Sequence, residues 1–238
     1  MNKKPSISFF CPAYNDEGNL PVLIPKTVRL LQDTCSSFEI VIIDDASPDN
    51  TGKVADKLAK QYWPNIKVVH HKKNKGYGGA LQSGFRHAKK YPYIFYTDGD
   101  NQYDVFVLKK MLSYIYSYDA VIGSREMRNL SMQRKLQSII YNRLVRYLFH
   151  IENDDINCAI RLIRREFINK MNLSSESAFL PAEMLIQLNK LGAKIKIVKV
   201  KHYPRTHGKA SGGKPSVILS AFLDIFKYYY KYKKSVLV

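Results

Sequence analysis

The sequence predicts an α/β fold in which helices flank a mostly parallel β-sheet, and three observations support this prediction. Strand-like and helix-like segments alternate from the start of the chain to about residue 123. The strand-like segments are short and largely apolar on both faces, which is typical of parallel strands covered by helices. A chain of 238 residues is also long enough to form one domain with a substantial core.

The individual elements follow from these patterns, taken in chain order. Apolar, β-branched runs predict strands over residues 6–11, 38–43, 66–70, 91–97 and 119–122. Helical periodicity between the strands predicts helices over residues 20–32, 49–61, 79–89 and 105–116. Two amphipathic stretches lie toward the C-terminus, over residues 130–149 and 215–238, and we expect both to be helical.

The charge balance indicates an anionic partner. The chain has 38 Lys and Arg against 20 Asp and Glu, a formal net charge of +18, and residues 190–238 contain twelve basic residues and one acid. Such an excess is typical of proteins that bind phosphorylated ligands, anionic membranes or nucleic acid. The sequence has no zinc finger, RNP-like motif or basic zipper, so we expect no nucleic-acid partner, although a basic nucleic-acid-binding protein is the non-enzymatic alternative.

Cysteine usage and hydropathy favour a reducing compartment and a protein outside the bilayer core. Cys11, Cys35 and Cys158 form no CxxC pair, which argues against a disulfide framework and against a zinc site. The first residues lack the pattern of a secretory signal, and no stretch reaches the roughly 18 apolar residues of a membrane span. We expect a protein that is soluble or peripheral on the cytoplasmic face of a membrane.

Polar clusters follow three of the predicted strands: residues 12–17 after the first, Asp44 and Asp45 after the second, and Asp98 and Asp100 after the fourth. These strand ends share one edge of a parallel sheet, where ligands bind. Asp98 and Asp100 follow the fourth strand; alone they could be a solvated turn, but two carboxylates so close repel unless a cation lies between them. They therefore predict a Mg²⁺ or Mn²⁺ site. Asp44 or Asp45, after the second strand, can accept a hydrogen bond from a ribose or a base, and Lys75 offers charge to a phosphate.

In their order and spacing, these motifs resemble family 2 glycosyltransferases of the GT-A (Rossmann-like) fold. The resemblance rests on Pro12-Ala13-Tyr14-Asn15-Asp16-Glu17, Asp44-Asp45-Ala46-Ser47-Pro48-Asp49-Asn50-Thr51, Asn74-Lys75-Gly76 and Asp98-Gly99-Asp100-Asn101-Gln102. Further markers are Gly123-Ser124-Arg125, segment 155–166, Glu183 and segment 203–211. Within the family, the chain most resembles polyprenyl-phosphate sugar transferases of the dolichyl-phosphate mannosyltransferase type, over about residues 6–214.

This resemblance implies a GT-A domain over residues 1–214, followed by the basic amphipathic helix over 215–238. A nucleotide-sugar half would extend to about residue 123 and an acceptor half over 124–214. The residues that would bind a GDP- or UDP-sugar are Pro12, Tyr14, Glu17, Asp44, Asp45, Lys75 and Asp98. Asp98, Asp100 and Gln102 would hold Mg²⁺ or Mn²⁺, which stabilises the departing nucleotide while the anomeric configuration inverts.

The implied acceptor is a polyprenyl phosphate, dolichyl or undecaprenyl, which is already ionised and needs no general base. Arginine suits such an acceptor because its planar fork binds phosphate bidentately. The resemblance assigns the acceptor phosphate to Arg125, Arg134, Arg205 and Ser211, and catalysis to Asp98, Asp100, Arg125 and Arg205. An alternative acceptor is a saccharide hydroxyl, which would require a general base, either Asp155 or Glu183.

Three supporting residues and the two amphipathic stretches remain open to more than one interpretation. Asp155 and Arg161 could form an ion pair beneath the acceptor site, and Glu183 could orient an arginine or a sugar hydroxyl. In the C-terminal stretch, one helical face carries Val217, Ile218, Ala221, Phe222, Ile225, Phe226 and Tyr229. Such faces either pack in a core or dimer, or contact an anionic membrane, and a separate membrane-anchor subunit is a further expected partner.

Overall fold

The computed structural model describes residues 4–126, 132–208 and 215–236, without the side chains of residues 133–135 and 232–236. Its strands are β1 (Ser6–Ala13), β2 (Ser37–Asp44), β3 (Ile66–His70), β4 (Tyr93–Tyr96), β5 (Ala120–Arg125), β6 (Arg161–Arg164) and β7 (Ile195–Val200). Its α-helices are α1 (Leu20–Thr34), α2 (Thr51–Gln61), α3 (Gly76–His87), α4 (Leu108–Leu112), α5 (Met132–Phe149), α6 (Arg165–Lys170), α7 (Leu180–Lys190) and α8 (Pro215–Val236).

The seven strands form one mixed sheet in the order β3-β2-β1-β4-β6-β5-β7. Only β6, among the described strands, runs against its neighbours, since it pairs antiparallel with both β4 and β5. The carboxyl ends of the other strands therefore lie along one edge, which we call the rim. The rim receives the loops that follow β1, β2, β4, β5 and β7, and the expected half boundary near residue 123 falls inside β5.

Both faces of the sheet are covered at its centre, which explains why β1 and β4 are largely apolar on both faces. Along β1, Phe9 and Cys11 face a core shared with α1 and α2, whereas Phe10 faces a second core shared with α3, α5, α7 and α8. This alternation follows from the two-residue period of a strand. The prediction of a largely parallel sheet between helices is confirmed.

The elements differ from the predicted ones mainly after residue 100. The expected helix over 105–116 is a 3₁₀ turn, Val105–Val107, followed by the short helix α4. The Asp104 carboxylate caps that turn by accepting a hydrogen bond from the Phe106 amide at 3.1 Å. Strands β6 and β7 and helix α6 were not predicted.

The C-terminal helix α8 packs on the second core through the face that the sequence singled out. Ala221 and Ile225 on this face are buried, so the core interpretation is correct for it. Apolar side chains outside this face, namely Leu219, Leu223 and Tyr230, are exposed, and so is Phe226, which the sequence placed on the face itself. Among the described residues, no helix is both long and apolar enough to cross a membrane.

Candidate active site

The two aspartates of the fourth strand's loop are held over the end of β1 by the glycine between them. The Gly99 amide donates a hydrogen bond to the Pro12 carbonyl at 2.9 Å. A Cβ atom at position 99 would lie 2.8 Å from that carbonyl oxygen, so no other residue fits without a shift of the backbone. This contact joins Asp98 and Asp100 to the loop that follows β1.

The electrostatics of this pair favour a cation. Burial, and then the proximity of Asp100, raise the pKa of Asp98; burial also raises the pKa of Asp100. The Tyr77 hydroxyl donates to Asp98 Oδ1 at 2.8 Å, and burial keeps this phenol protonated by raising its pKa. Arg125 opposes the pKa rise of Asp98, and Arg205 opposes that of Asp100, so both arginines lie within electrostatic reach.

A divalent cation fits this pair of carboxylates if water and the phosphate oxygens of a bound substrate complete its coordination. Two hard carboxylate oxygens in a partly dehydrated site suit Mg²⁺ or Mn²⁺, which keep positions for water and phosphate oxygens. Within the described ranges, no group of three or more His, Cys, Asp or Glu side chains could hold a metal by itself. Gln102, the third predicted ligand, donates from its side-chain amide to the Tyr203 carbonyl at 2.9 Å, and its main-chain carbonyl accepts from the Tyr203 amide at 2.8 Å.

The aspartates after β2 are each bound to a histidine. Asp44 Oδ2 lies 3.0 Å from His70 Nδ1, and Asp44 Oδ1 accepts from the Ser47 amide at 3.1 Å. Asp45 Oδ1 lies 2.6 Å from His71 Nδ1 and accepts from the Lys75 amide at 2.8 Å. Both carboxylates are therefore fixed at the rim, where the predicted nucleotide site lies. Neither histidine was singled out from the sequence.

The loop after β1 contains a residue that the sequence reasoning missed. Asp16 is buried and accepts hydrogen bonds from the Tyr14 amide at 3.0 Å and from the Asn19 side chain at 2.8 Å. Glu17, the predicted nucleotide-binding acid, is exposed and accepts from the Asn50 amide at 2.9 Å. The signal for Asp16 in the sequence is its place in the Tyr14–Glu17 motif, which alone does not distinguish two adjacent acids.

Arg125 ends β5 and is bound by Asp155. Its Nε and Nη2 atoms donate to the two Asp155 oxygens, each at 2.6 Å, and its amide donates to Asp155 Oδ2 at 3.0 Å. The two side chains are only 12% and 1% exposed. Asp155 thus pairs with Arg125 rather than with Arg161, which corrects the ion pair expected from the sequence.

Arg205 lies in the loop after β7, and this loop folds back on the loop after β1. Its Nη2 atom donates to Asp16 Oδ1, and its Nε atom donates to the His207 carbonyl at 2.7 Å. Gly208 has a φ of +75°, and a Cβ atom there would lie 2.8 Å from the Asn15 carbonyl oxygen. The predicted acceptor arginine is therefore anchored beside the predicted donor site.

The remaining supporting residues have structural partners. Arg161 is fully buried and donates to three main-chain carbonyls, those of Ile156, Cys158 and Pro181. Glu183, also fully buried, accepts from the amides of Ser174 and Ser175 at 2.9 and 2.8 Å, so it orients a loop and not the arginine or sugar expected. The side chain of Arg134 and the whole of Ser211 lie outside the described residues, and their roles stay predictions.

A sheet of this topology with an Asp-x-Asp pair at its rim defines the GT-A class of glycosyltransferases. A model described as glycosyl transferase family 2 matches residues 8–171 of the chain. Because the match covers more than half of the sequence, the chain belongs to glycosyl transferase family 2 and is a glycosyltransferase. The resemblance deduced from the motifs is confirmed.

Two relatives are similar over most of the chain. The undecaprenyl-phosphate mannosyltransferase of Micrococcus luteus is 29% identical over 85% of this chain and 86% of its own length. The polyprenol monophosphomannose synthase of Mycolicibacterium smegmatis is 30% identical over 69% of this chain, which spans 63% of that protein. Both names describe transferases of sugars to polyprenyl lipids.

A solved structure confirms the fold. The glucosyl-3-phosphoglycerate synthase of Mycobacterium tuberculosis, in complex with Mn²⁺, UDP and glucosyl-3-phosphoglycerate, superposes with a TM-score of 0.74. The superposition covers 94% of this chain and 80% of that one, at 16% sequence identity. At this identity the likeness establishes the GT-A fold.

Proposed function

We propose that this chain transfers a sugar from a nucleotide-diphospho-sugar to a polyprenyl phosphate at a membrane surface, with Mg²⁺ or Mn²⁺ at Asp98 and Asp100. The observation that carries the proposal is that Gly99 binds the Pro12 carbonyl at the end of β1, Arg205 binds Asp16 in the loop that follows, and Arg125 ends β5 at the same rim. The rim thus offers two ways to hold a phosphate, through a cation and on arginines. Transfer between two phosphorylated substrates requires both.

The donor side of the proposal is supported by the carboxylates and the turn around them. Asp44 or Asp45 would bind the base or ribose, while Pro12, Tyr14, Glu17 and Lys75 would surround the nucleotide. A bound divalent cation would neutralise charge on the departing nucleoside diphosphate. The Mn²⁺ and UDP named for the M. tuberculosis structure, which shares the fold, agree with this donor class.

The acceptor side is supported by the free nitrogens of the two arginines. Among the described residues, Nη1 of Arg125 and Nη1 of Arg205 make no hydrogen bond, whereas their other nitrogens hold Asp155, Asp16 and the His207 carbonyl. The acid partners therefore fix each guanidinium and leave one donor atom for a ligand. A guanidinium held in this way can bind a phosphate oxygen with little further loss of side-chain freedom.

The proposed reaction needs no general base. An ionised oxygen of the lipid phosphate forms a bond to the anomeric carbon while the bond from that carbon to the diphosphate oxygen breaks. The nucleoside diphosphate departs with the electron pair, and attack from the opposite face inverts the configuration. Arg125 and Arg205 would hold the attacking phosphate near the departing one, whose mutual repulsion they offset.

A saccharide hydroxyl is a weaker candidate acceptor because the two acids nominated as its general base are engaged. Asp155 accepts three hydrogen bonds from Arg125, and an ion-paired carboxylate is a poor proton acceptor. Glu183 is fully buried and accepts hydrogen bonds from Ser174 and Ser175. The names of the M. luteus and M. smegmatis relatives also favour a lipid acceptor.

A membrane-facing surface is supported by the outward faces of α5 and α8. Both helices pack on the second core and touch each other through Tyr141 and Phe222, whose rings lie 6.1 Å apart. Their outward faces carry exposed apolar side chains, which we call the apolar surface: Met132, Leu136, Ile139, Ile140, Leu219, Leu223 and Phe226. Arg143 is exposed one helical turn beyond Ile139 and adds positive charge, which suits an anionic bilayer.

We further propose a peripheral location on the cytoplasmic face, where the apolar surface would hold the rim close to the lipid acceptor. A homodimer or a separate anchor subunit would be a further means of attachment. Leu136→Glu combined with Leu223→Glu should abolish sedimentation with anionic vesicles. Transfer to a short-chain, water-soluble prenyl phosphate should stay within about twofold; equal loss of both would contradict a membrane role for this surface.

The test of the proposed function is an acceptor comparison with each of several UDP- and GDP-sugars. With Mn²⁺ present, polyprenyl phosphate should receive the sugar and oligosaccharides should not. Removal of the cation with a chelator should stop transfer, and added Mn²⁺ should restore it. Transfer to oligosaccharides alone would overturn the lipid assignment.

A further inference from the structure

A row of three buried hydrogen-bonding side chains lies behind the rim, and of the three only Asp45 has a place in the proposed donor site. His71 Nδ1 lies 2.6 Å from Asp45 Oδ1, and His71 Nε2 lies 2.8 Å from Ser83 Oγ. The side chains of His71 and Asp45 are 4% and 5% exposed, and Ser83 in α3 is 3% exposed. Because His71 and Ser83 are both buried, neither can contact a substrate. They can act on the donor site only through Asp45.

One tautomer of neutral His71 satisfies both of the contacts that its ring nitrogens make. Arg86 Nη2 donates to Ser83 Oγ at 3.4 Å, so the Ser83 hydroxyl proton is free to point at His71 Nε2. A neutral imidazole then carries its proton on Nδ1 and donates it to the Asp45 carboxylate. Every polar atom of the ring is satisfied in this arrangement, which fixes the orientation of the imidazole and of the carboxylate it holds.

Asp45, in turn, organises the turn that begins α3. Its Oδ1 atom accepts from the Lys75 amide at 2.8 Å, and its carbonyl accepts from the Asn74 side chain at 3.0 Å. Two residues after Lys75, the Tyr77 hydroxyl donates to Asp98. The turn therefore connects the aspartate after β2 with the aspartate after β4, and His71 lies at the start of this connection.

The neighbouring Asp44–His70 pair lacks these features. The His70 side chain is 45% exposed and bridges Asp44 and the exposed Asp56, each at 3.0 Å. Asp44 accepts from the Ser47 amide in the loop after β2, and not from a main-chain group of the turn that begins α3. The two adjacent histidines thus have different consequences, because only the buried one is connected to Lys75.

We propose that His71 is a positioning residue of the donor site: it fixes Asp45, and Asp45 places Lys75 against the diphosphate of the donor. This inference rests on the proposed function, because Lys75 is expected to contact that diphosphate. His71 itself touches neither substrate nor cation. Loss of its hydrogen bond should weaken donor binding and leave the chemical step unchanged.

The test uses the whole protein and titrates it with the Mn²⁺ complexes of UDP and of GDP, without acceptor, by calorimetry. His71→Leu removes the donor to Asp45 and should weaken binding of the preferred nucleotide about tenfold, the usual effect of losing a hydrogen bond to a charged group. His71→Asn places an amide N–H near the position of Nδ1 and should recover most of the affinity. His87→Leu, which removes an exposed histidine from the far end of α3, is the matched control and should bind like the parent.

A second comparison separates positioning from mere support of the core. If His71 acts through Lys75, His71→Leu should weaken binding little further in a chain that already carries Lys75→Met, whereas independent effects would multiply. In turnover assays, His71→Leu should raise the donor KM and change kcat by less than about twofold. Unaltered binding by a folded His71→Leu, or multiplied effects with Lys75→Met, would overturn the inference.

The outcome also distinguishes the inference from the proposed function. Failure of the parent protein to bind either nucleotide would refute the donor assignment, and the inference with it. Binding by the parent that His71→Leu leaves unchanged would refute the inference alone. If His71→Leu does not fold, His71→Asn and Ser83→Ala supply the same comparison, with the Ser83 variant expected to lose less affinity than any variant that frees Asp45.

Discussion

The donor side and the acceptor side of the rim hold their charged groups in opposite ways. On the proposed donor side, acids are held by neutral donors or histidines, as Asp98 is held by Tyr77 and Asp45 by His71. On the proposed acceptor side, arginines are held by acids, as Arg125 is held by Asp155. Under the proposed function, the donor phosphates would be bound through a divalent cation, whereas the acceptor phosphate would be bound by arginines of the protein itself.

The largest loss of activity is expected from removing a carboxylate of the proposed cation site on the donor side. Asp100→Ala should lower transfer by about a hundredfold or more, because the charge of the departing nucleotide would lose its stabilisation. The protein should remain folded, since removal of a buried carboxylate with a raised pKa relieves repulsion with Asp98. Initial rates and circular dichroism measure the two effects.

The control for this variant is Asp33→Asn, which removes an exposed acid from α1. It should transfer at the rate of the parent. Full activity of Asp100→Ala at saturating Mn²⁺ would contradict the cation site.

On the acceptor side, Asp155→Ala should cost about 3–5 kcal/mol of unfolding free energy, because it leaves Arg125 buried without its partner. The pair is 12% and 1% exposed, in contrast to the surface pair of Arg146 and Asp154, at 45% and 67%. Asp154→Ala should therefore cost less than about 1 kcal/mol. Urea unfolding of both variants measures the difference, and equal costs would show that Arg125 does not depend on Asp155.

Arg205→Ala should raise the KM of the polyprenyl phosphate about tenfold or more and change the donor KM less, because it removes a charged hydrogen bond to the acceptor. Arg205→Lys keeps the charge without the planar fork and should fall between. Arg29→Ala, an exposed change on α1, is the control. A larger rise in the donor KM than in the acceptor KM would contradict this role and place Arg205 at the donor site.

The smallest expected effect concerns His70 and sharpens the contrast between the two histidines. Its hydrogen bond to Asp44 raises the pKa of His70, with burial opposing. Protonated His70 therefore adds stability below its unfolded pKa of about 6.5, and this contribution is lost as pH rises through the folded value. His70→Ala should cost less than about 1 kcal/mol at pH 5.5 and nothing measurable at pH 9. A cost that is equal at both pH values would contradict this assignment.

The sequence predicted the first five strands better than the last two, for physical reasons. Strands β1 to β5 are apolar runs, and Asp98-Gly99-Asp100 directly follows one of them, so its place at the rim follows from parallel topology. Strand β6 is only four residues long, with arginine at both ends, and β7 alternates with lysine, so neither has an apolar run. The partners of the arginines are distant in sequence, 30 positions for Arg125 and 189 for Arg205, and no local pattern reveals them.

The sequence also could not show which of two adjacent residues of the same chemical type is buried at the site. The Tyr14–Glu17 motif contains two acids, and only the fold shows that Asp16 is buried beside Arg205 while Glu17 is exposed. The amphipathic pattern of α8 likewise identified a face that packs on the core. The exposed face was missed because α8 carries apolar residues on more than one side.

The most direct measurement compares two acceptors with the same lipid chain, a polyprenyl phosphate and the corresponding polyprenol, with the Mn²⁺-bound donor that the protein prefers. If the arginines bind a phosphate that attacks without a general base, the phosphate should receive the sugar and the alcohol should receive none. Arg205→Ala should lower transfer to the phosphate about tenfold when this acceptor is limiting. Transfer to the alcohol at a comparable rate would contradict the account.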